Sequence, residues 1–457
     1  MMDVYGQLFR SLLWPTWEGS VNKRPTFPLL RFLEETQWRS LDELTAIQTG
    51  GLRRLLRHAA EHVPFYRQRF AEAGVDVASI RDARDLLRLP PLTRDDARRF
   101  VKERESTVAP FVAVRKNTGG TTAEPLLFGY DAGSEAWRQA TKLRGYAWAS
   151  YRPGDVSIHY WGAPMSRVPN RMTRAKIELD RRVRREHYFA CAVMNEENMM
   201  EVVDALRRLK PRAFLCYTQS GAELARFIVK RGLRDWPDVS VLCGAEKLYP
   251  QDRASLKEAF GPGVFETYGC REFMLMATEC EHHDGLHQSI ENLVLEVLVE
   301  ENGRVRHAEP GEEGELAITD LHNYGMPFIR YVTGDRVRQG TSDRCACGRA
   351  LPRLGGVEGR TAELLRDKHG NAVSGLVFNV LFTPLAQAVK RFQVVQHKDL
   401  SVTMKVIRGE DTTQGPIDEV KRMLVDILKG VHVTIEEVRD LPATASGKRR
   451  IVVGERD

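Results

Sequence analysis

A short segment rich in threonine and glycine is the first candidate for chemistry in this sequence. Residues 118–125 read Thr-Gly-Gly-Thr-Thr-Ala-Glu-Pro and lie between two apolar runs, residues 111–114 and 126–128. Paired glycines let the backbone close around a phosphate, and threonine hydroxyls add donors at the same place. The Gly-Lys-Ser/Thr ending of a Walker loop is absent. Taken alone, the segment is explained equally well by phosphate binding and by a turn between strands.

Cysteine and histidine side chains form a second candidate site. Four residues are the candidate metal ligands: Cys280, His287, Cys345 and Cys347. Three thiolates and one imidazole suit a closed tetrahedral Zn²⁺ site of the structural type, because no ligand position remains open. His282 or His283 are substitute ligands, and ordinary reduced thiols are the alternative. The chain has seven cysteines, an odd and scattered set that argues against a disulfide scaffold.

Length and composition bound the class of protein. The 457 residues, 42% hydrophobic and 28% charged, suffice for a large core and are too many for one compact unit. The net charge of +6 favours anionic small molecules only mildly and does not indicate nucleic acid. The longest apolar runs, such as residues 293–299, are too short to span a membrane, and the N-terminus lacks a secretory layout. We expect a cytoplasmic protein that binds neither nucleic acid nor membrane.

The hydrophobic pattern that must position these residues changes along the chain. About the first hundred residues show helical spacing, and residues 111–269 alternate short apolar runs with helix-like segments, as in an α/β domain. Residues 293–319 predict a β-hairpin. Strand, helix and strand patterns over residues 401–438 indicate a small α+β domain, with a hinge near Gly359.

Five segments, in chain order, resemble the adenylate-forming (acyl/aryl-CoA synthetase) superfamily. They are residues 118–125 (phosphate loop), Tyr268-Gly269-Cys270-Arg271-Glu272 (Tyr-Gly-x-x-Glu segment), residues 331–335, Tyr-Val-Thr-Gly-Asp (ribose segment), Gly359-Arg360 (hinge) and Ser446-Gly447-Lys448 (lysine loop). Residues 54–67, 244–246, 327–331 and 345–353 resemble the phenylacetate-CoA ligase branch in particular. The resemblance implies an α/β fold with a large multi-subdomain N-terminal domain, residues 1–358, and a small mobile α+β C-terminal domain, residues 359–457.

The same resemblance implies ATP-dependent activation of a carboxylic acid, aromatic in this branch, to an acyl-AMP, followed by transfer to coenzyme A. Attack on the α-phosphorus builds negative charge, so the site needs backbone donors, Mg²⁺ and a lysine. The nucleotide would be bound by Thr118, Gly119, Gly120, Thr121 and Thr122 at the phosphates, Gly244, Ala245, Glu246, Tyr268 and Gly269 at adenine, Asp335 at the ribose, and Arg360 at the hinge. Glu272 would ligate Mg²⁺, and Lys448 would act as a mobile catalytic charge. Tyr217 and Phe273 would line the pocket for the acid.

Two departures from the family pattern keep alternatives open. Ala123-Glu124 stand where many relatives have Gly-Lys, and Ala362 stands where the hinge acid is usual. A catalytically silent nucleotide-binding protein is one alternative, against which the intact Lys448 argues. An amine or a carrier-protein thiol is an alternative acceptor of the acyl group. The arginine-rich residues 171–185 either meet coenzyme A phosphates or form a solvated helix, and the branch implies a homodimer.

Overall fold

The computed structural model describes residues 3–117, 126–162, 170–191, 193–357, 364–374, 388–409, 415–441 and 452–454. The chain divides into two compact units. Unit 1 comprises Met1–Thr118, Leu126–Pro153 and Phe265–Gly359, and unit 2 comprises Gly119–Pro125, Gly154–Val264 and Arg360–Asp457. None of the helices in the described ranges combines the length and the apolar character needed to span a bilayer.

Helices dominate the first part of the chain and alternate with strands later. Their bounds are α1 (Val4–Leu8), α2 (Trp14–Thr16), α3 (Thr26–Thr36), α4 (Leu41–His62), α5 (Pro64–Glu72), α6 (Arg94–Arg99), α7 (Ala132–Trp148), α8 (Arg171–Arg184), α9 (Glu196–Leu209), α10 (Thr218–Arg231), α11 (Pro250–Phe260) and α12 (Gly415–Ile427). Two π-helical turns, Phe9–Leu13 and Trp17–Val21, follow α1 and α2, and two 3₁₀ turns, Val77–Ser79 and Ala83–Arg88, follow α5.

The strands fall into separate sheets. Their bounds are β1 (Val114–Asn117), β2 (Leu127–Tyr130), β3 (Ser157–Tyr160), β4 (Glu186–Phe189), β5 (Val193–Met194), β6 (Ala213–Tyr217), β7 (Ser240–Gly244), β8 (Val264–Cys270), β9 (Met274–Glu279), β10 (Leu286–Gln288), β11 (Leu293–Glu301), β12 (Arg304–His307), β13 (Glu313–Asp320), β14 (Tyr331–Gln339), β15 (Arg353–Val357), β16 (Leu364–Arg366), β17 (Ala372–Ser374), β18 (Val389–Gln396), β19 (Val402–Arg408), β20 (Val433–Glu437) and β21 (Val452–Gly454). The predicted hairpin of residues 293–319 corresponds to β11, β12 and β13.

Unit 1 is an antiparallel sheet with helices packed into its core. The strand order is β12-β11-β13-β14-β15-β10-β9-β8. Helix α4 begins at a capping box, in which Ser40 and Glu43 satisfy each other's backbone N–H groups. Its apolar stripe, which includes Leu52 and Leu55, is fully buried in the core shared with β13 and β14. Burial of each such leucine contributes about 2 kcal/mol relative to an exposed position.

Unit 2 contains a parallel sheet, of order β4-β3-β6-β7, with α9, α10 and α11. Strands β6 and β7 are near-continuous apolar runs and are almost wholly buried, as expected for parallel strands covered on both faces, whereas β4 at the edge is partly exposed. Helix α10 follows β6 directly and packs closely on it, since a Cβ at Gly221 would collide with the Cys216 sulfur. This junction places the carboxyl ends of β6 and β7 beside the start of α10.

The C-terminal part of unit 2 has its own core. Strands β20-β19-β18-β21 form one sheet, and the apolar face of α12 packs in the same cluster as that sheet. Strands β16 and β17 form a three-stranded sheet with β5. The predicted α/β fold class with a small α+β region is therefore confirmed. The predicted boundary between residues 358 and 359 lies outside the described residues and stays a prediction.

Candidate active site

Tyr268, predicted to bind adenine, and Asp335, predicted to bind the ribose, lie together in unit 1. Tyr268, at the end of β8, donates a hydrogen bond from its hydroxyl to Oδ2 of Asp335 on β14, at 2.9 Å. Asp335 is held in turn through its backbone N–H, which donates to the Thr333 hydroxyl at 3.2 Å. A Cβ at Gly269 would collide with the carbonyl oxygen of Met274, so the glycine allows β8 and β9 to approach at a register shift. The phenol and the carboxylate therefore form one polar cluster.

Glu272 lies in the turn between β8 and β9, and a buried arginine outside the predicted motifs fixes that turn. Arg138 of α7 donates to the backbone carbonyl of Glu272, and its second terminal nitrogen lies 2.5 Å from a carboxylate oxygen of Asp320. The two charged side chains are 1% and 2% exposed. Burial raises the pKa of Asp320, and the Arg138 charge opposes that rise. The guanidinium also lies over the Tyr130 ring, 4.5 Å from its centroid.

In unit 2, aromatic side chains meet at the carboxyl ends of the parallel strands. The register pairs Tyr160 with Cys216, and Tyr217 with Gly244, so Trp161 follows beside Tyr217. The Trp161 and Tyr217 rings are 4.2 Å apart between centroids, and Trp161 is 36% exposed. Ligands of open α/β sheets bind at this edge.

Glu246 is buried next to this edge. The backbone N–H of Gln219 donates to Glu246 Oε2 at 2.9 Å, and the Thr218 hydroxyl donates to the Glu246 carbonyl at 2.9 Å. Within the described ranges, Oε1 has no hydrogen-bond partner. Burial raises the pKa of Glu246 to about 8; the Gln219 hydrogen bond lowers it, and the Asp252 charge raises it. A largely neutral carboxyl group at pH 7 therefore lies at the N-terminus of α10.

The four predicted metal ligands are gathered into one cluster in unit 1. Their ligand atoms all lie within 4.8 Å of one another. The Cys280 and Cys345 sulfurs are 3.8 Å apart, and the Cys347 sulfur is 3.4 Å from His287 Nε2. A tetrahedral Zn²⁺ with Zn–S bonds of about 2.3 Å and Zn–N bonds of about 2.0 Å needs separations of roughly 3.8 and roughly 3.5 Å. His287 Nδ1 donates to the Leu351 carbonyl at 3.1 Å, which directs Nε2 to the cluster.

The remaining predicted residues lie elsewhere. Phe273 is fully buried and packs against Phe328 and Tyr331. The substitute ligand His283 hydrogen bonds to Glu279 at 3.2 Å. No residue of α8, which carries the arginine-rich segment, is buried. The predicted phosphate-loop residues 118–122, with residues 360 and 448, lie outside the described residues, so their placement stays a prediction.

Sequence reasoning missed Arg138 and Trp161. Neither belongs to a motif: Arg138 is one of many arginines on a helical pattern, and Trp161 follows an ordinary apolar run. The order of β3 and β6 in the parallel sheet would have indicated Trp161, because adjacent parallel strands end at one edge. Nothing in the pattern of α7 distinguishes Arg138.

No model of a protein family matches the sequence. The fold is shared with a solved 2-hydroxyisobutyryl-CoA ligase in complex with 2-HIB-AMP and CoA, at a TM-score of 0.60 and 20% identity over 92% of this chain and 91% of that one.

Among curated proteins, the chain is similar to phenylacetate-coenzyme A ligases. It is 28% identical to that of Thermus thermophilus over 373 residues, covering 78% of this chain and 79% of the relative. It is 27% identical to that of Pseudomonas putida over 442 residues, covering 93% and 88%. The predicted resemblance to the phenylacetate-CoA ligase branch is confirmed.

Proposed function

We propose that the protein is an AMP-forming acid–CoA ligase, which activates a carboxylic acid with ATP and passes the acyl group to coenzyme A. The observation that carries this proposal is the similarity to phenylacetate-CoA ligases along 93% of the chain. The Tyr268–Asp335 cluster supports it, because both residues stand in predicted nucleotide-binding motifs and are in contact. A cytoplasmic location stays a prediction.

In this proposal the residues predicted from the sequence motifs bind the nucleotide and its Mg²⁺. Asp335 accepts hydrogen bonds from the ribose hydroxyls, because a carboxylate accepts several at once, and the Tyr268 ring lies against adenine. Glu272 supplies a carboxylate oxygen, the kind of ligand that Mg²⁺ prefers, from a turn that Arg138 fixes. Mg²⁺, when bound, neutralises charge that develops on the phosphates. Lys448 and the threonine-rich residues 118–122 keep the roles that the resemblance implies.

We propose an aromatic acid as substrate, held at the edge formed by Tyr217 and Trp161. The partly exposed Trp161 ring supports this assignment, since an aromatic pair offers a further ring an offset or edge-on contact. Phe273 is left out of the proposed pocket, because its side chain is fully buried among core aromatics.

We further propose that the Cys280, His287, Cys345 and Cys347 cluster holds a structural Zn²⁺. The separations that match a tetrahedron and the oriented His287 ring support it. Stoichiometric zinc should be found in protein purified with reduced thiols, and a chelator should lower the melting temperature of the wild type but not of Cys347→Ser. Wild-type protein that contains no bound zinc would contradict this assignment.

The test of the ligase proposal is pyrophosphate release with a panel of carboxylic acids, with and without coenzyme A. We expect release to depend on an aromatic acid, to accelerate with coenzyme A, and to fall at least a hundredfold in Lys448→Ala. Acyl transfer to hydroxylamine without any acceleration by coenzyme A would instead favour an amine or carrier-protein acceptor. If no acid stimulates release, and Lys448→Ala behaves as wild type, the protein binds nucleotide without this chemistry.

A further inference from the structure

Helix α8 lies between β3 and β4 in the chain, two neighbouring parallel strands of unit 2, and both its ends are well defined. At its start the Asn170 side chain accepts a hydrogen bond from the backbone N–H of Met172 at 2.9 Å. At its end Arg185 adopts the left-handed conformation, with a φ of 59°. A helix that connects two such strands normally packs an apolar side against the sheet. Within α8, all of which is described, no residue is buried.

The arginine-rich side of α8 faces its own unit. Four residues of the helix are half-buried, and at about 100° per residue they fall on one side of it: Arg174, Ile177, Arg181 and Arg184. The Arg181 guanidinium lies over the Tyr188 ring of β4, 3.7 Å from its centroid, and that ring stacks on His159 of β3 at 4.4 Å. Contacts of arginine side chains, more than apolar packing, therefore attach the helix to the edge of the parallel sheet.

The apolar side of α8 faces outward. Four side chains lie within about 80° of one another, on the side opposite the half-buried arginines, and form what we call the outward strip: Met172, Ala175, Leu179 and Val183. Met172 is 68% exposed, Leu179 is 63% exposed and Val183 is 42% exposed. A surface helix of a globular protein turns such a stripe towards the core. The reversed orientation indicates that a surface outside the chain covers the strip.

Basic residues flank the outward strip on both sides. Arg171 and Arg182 lie along one edge and Lys176 lies along the other, and all three are exposed. Residues 171–185 contain seven basic and two acidic residues, which gives a net charge of +5. An apolar strip between lysine and arginine side chains is the pattern of a helix that lies in the plane of a membrane surface. Its basic flanks there meet the negative headgroups of anionic lipids.

We propose that α8 binds the surface of an anionic lipid bilayer, with the outward strip inserted among the headgroups. The expectation that the chain does not bind membrane was based on the lack of a run long enough to span one. A helix that lies flat on the surface needs no such run, because it inserts only one side and only to the depth of the headgroups. The combination of a strip that faces outward and a helix of net positive charge carries the proposal.

Other occupants of the strip explain less of what is observed. Coenzyme A phosphates would account for the arginines but not for the outward strip. A second copy of this chain would bring two faces of the same charge together, which is unfavourable. The core of a protein interface is usually rich in aromatic residues, and the outward strip contains none. A fluid bilayer requires no matching shape, only an apolar strip and complementary charge.

Cosedimentation of the full chain with lipid vesicles tests the proposal. We expect the wild type to bind mixed vesicles of phosphatidylglycerol and phosphatidylcholine about a hundredfold more tightly than vesicles of phosphatidylcholine alone, because each basic residue near an anionic surface contributes about fivefold. Leu179→Glu places a charge in the strip and should weaken binding to the mixed vesicles roughly tenfold, since the burial of one leucine is lost. Leu12→Glu, at a leucine of unit 1 that is 56% exposed, is the matched control and should bind as the wild type does.

Further variants separate the two parts of the proposal and guard against misfolding. Lys176→Gln combined with Arg182→Gln should weaken binding to the mixed vesicles about twentyfold. Arg53→Gln combined with Arg57→Gln, at two exposed positions of α4, is its matched control and should have no effect. Leu179→Trp should bind more tightly than the wild type, because tryptophan favours the membrane interface, and a misfolded protein would not show such a gain.

Two results would overturn the proposal. The first is a wild type that stays in solution with the mixed vesicles, which would leave a protein with an acidic surface as the partner of α8. The second is a Leu179→Glu variant that binds the mixed vesicles as the wild type does, which would show that membrane binding lies elsewhere on the chain.

Discussion

Glu246 should make the stability of the protein fall as the pH rises through neutrality. Its carboxyl group has an ordinary pKa of 4.5 and a folded-state pKa of about 8. Between these values the unfolded chain has lost the proton that the folded chain keeps, so folding takes up about one proton. Stability contributed by this group is therefore greatest below pH 4.5 and is lost as the pH approaches 8.

The size of the effect follows from the same shift. One pKa unit corresponds to about 1.4 kcal/mol, so from pH 5.5 to 7.5 the free energy of unfolding should fall by roughly 2 to 3 kcal/mol on account of Glu246. Glu246→Gln keeps an oxygen for the Gln219 N–H group and cannot ionise. The variant should therefore gain stability relative to wild type by that amount over the same two pH units.

Urea titrations followed by circular dichroism at pH 5.5, 6.5 and 7.5 measure this difference. Glu258→Gln, at an exposed position on α11, is the matched control and should track the wild type. Infrared difference spectra should also show a protonated carboxyl band at pH 7 that Glu246→Gln lacks. A stability difference between Glu246→Gln and wild type that stays constant with pH, or the absence of that band, would refute the reasoning.

Three further changes test the rest of the site. Asp320→Asn leaves the Arg138 guanidinium buried without its carboxylate and should cost about 3–5 kcal/mol in urea unfolding, whereas a matched change in an exposed ion pair should cost under about 1 kcal/mol. Tyr268→Phe removes one hydrogen bond to Asp335, typically about 0.5–1.5 kcal/mol, and should raise KM for ATP roughly two- to tenfold in pyrophosphate release. Trp161→Ala should lower kcat/KM for an aromatic acid about tenfold, the equivalent of about 1.4 kcal/mol of ring contact, and leave an aliphatic acid of similar length almost unchanged.

Much of the fold and of the candidate site could be predicted because the signals are local. The apolar stripe of α4, the hairpin around β11 and the helix α12 each follow from side-chain periodicity within one element. The Cys280 to His287 loop and the Cys-x-Cys pair carried their ligand types in short segments, so the set could be named from the sequence. The distances between the four ligand atoms could not be predicted, because they depend on how β9, β10 and the later loop come together.

What the sequence did not indicate depends on contacts between distant elements. Trp161 becomes part of a site only through the register of β3 against β6. Glu246 has an ordinary place in its motif, and its raised pKa comes from burial and from Asp252, which lies on another helix.

Arg138 shows why the motif residues alone do not define the site. Glu272 belongs to a recognisable segment, but the backbone that carries it is a three-residue turn between two strands, and such turns have few hydrogen bonds of their own. The turn is held by a guanidinium that needs Asp320 as its counter-charge and Tyr130 as its neighbouring ring. A buried ion pair stabilises a fold little more than apolar side chains of equal size would. The contribution of the Arg138–Asp320 pair is therefore positional. It fixes the Glu272 carbonyl, and so the place of the Glu272 side chain. A double-mutant cycle between Arg138→Met and Asp320→Leu should therefore recover most of the stability lost in either single variant while leaving the KM for Mg²⁺ raised. Full recovery of both the stability and the KM for Mg²⁺ would show that the ion pair serves folding alone.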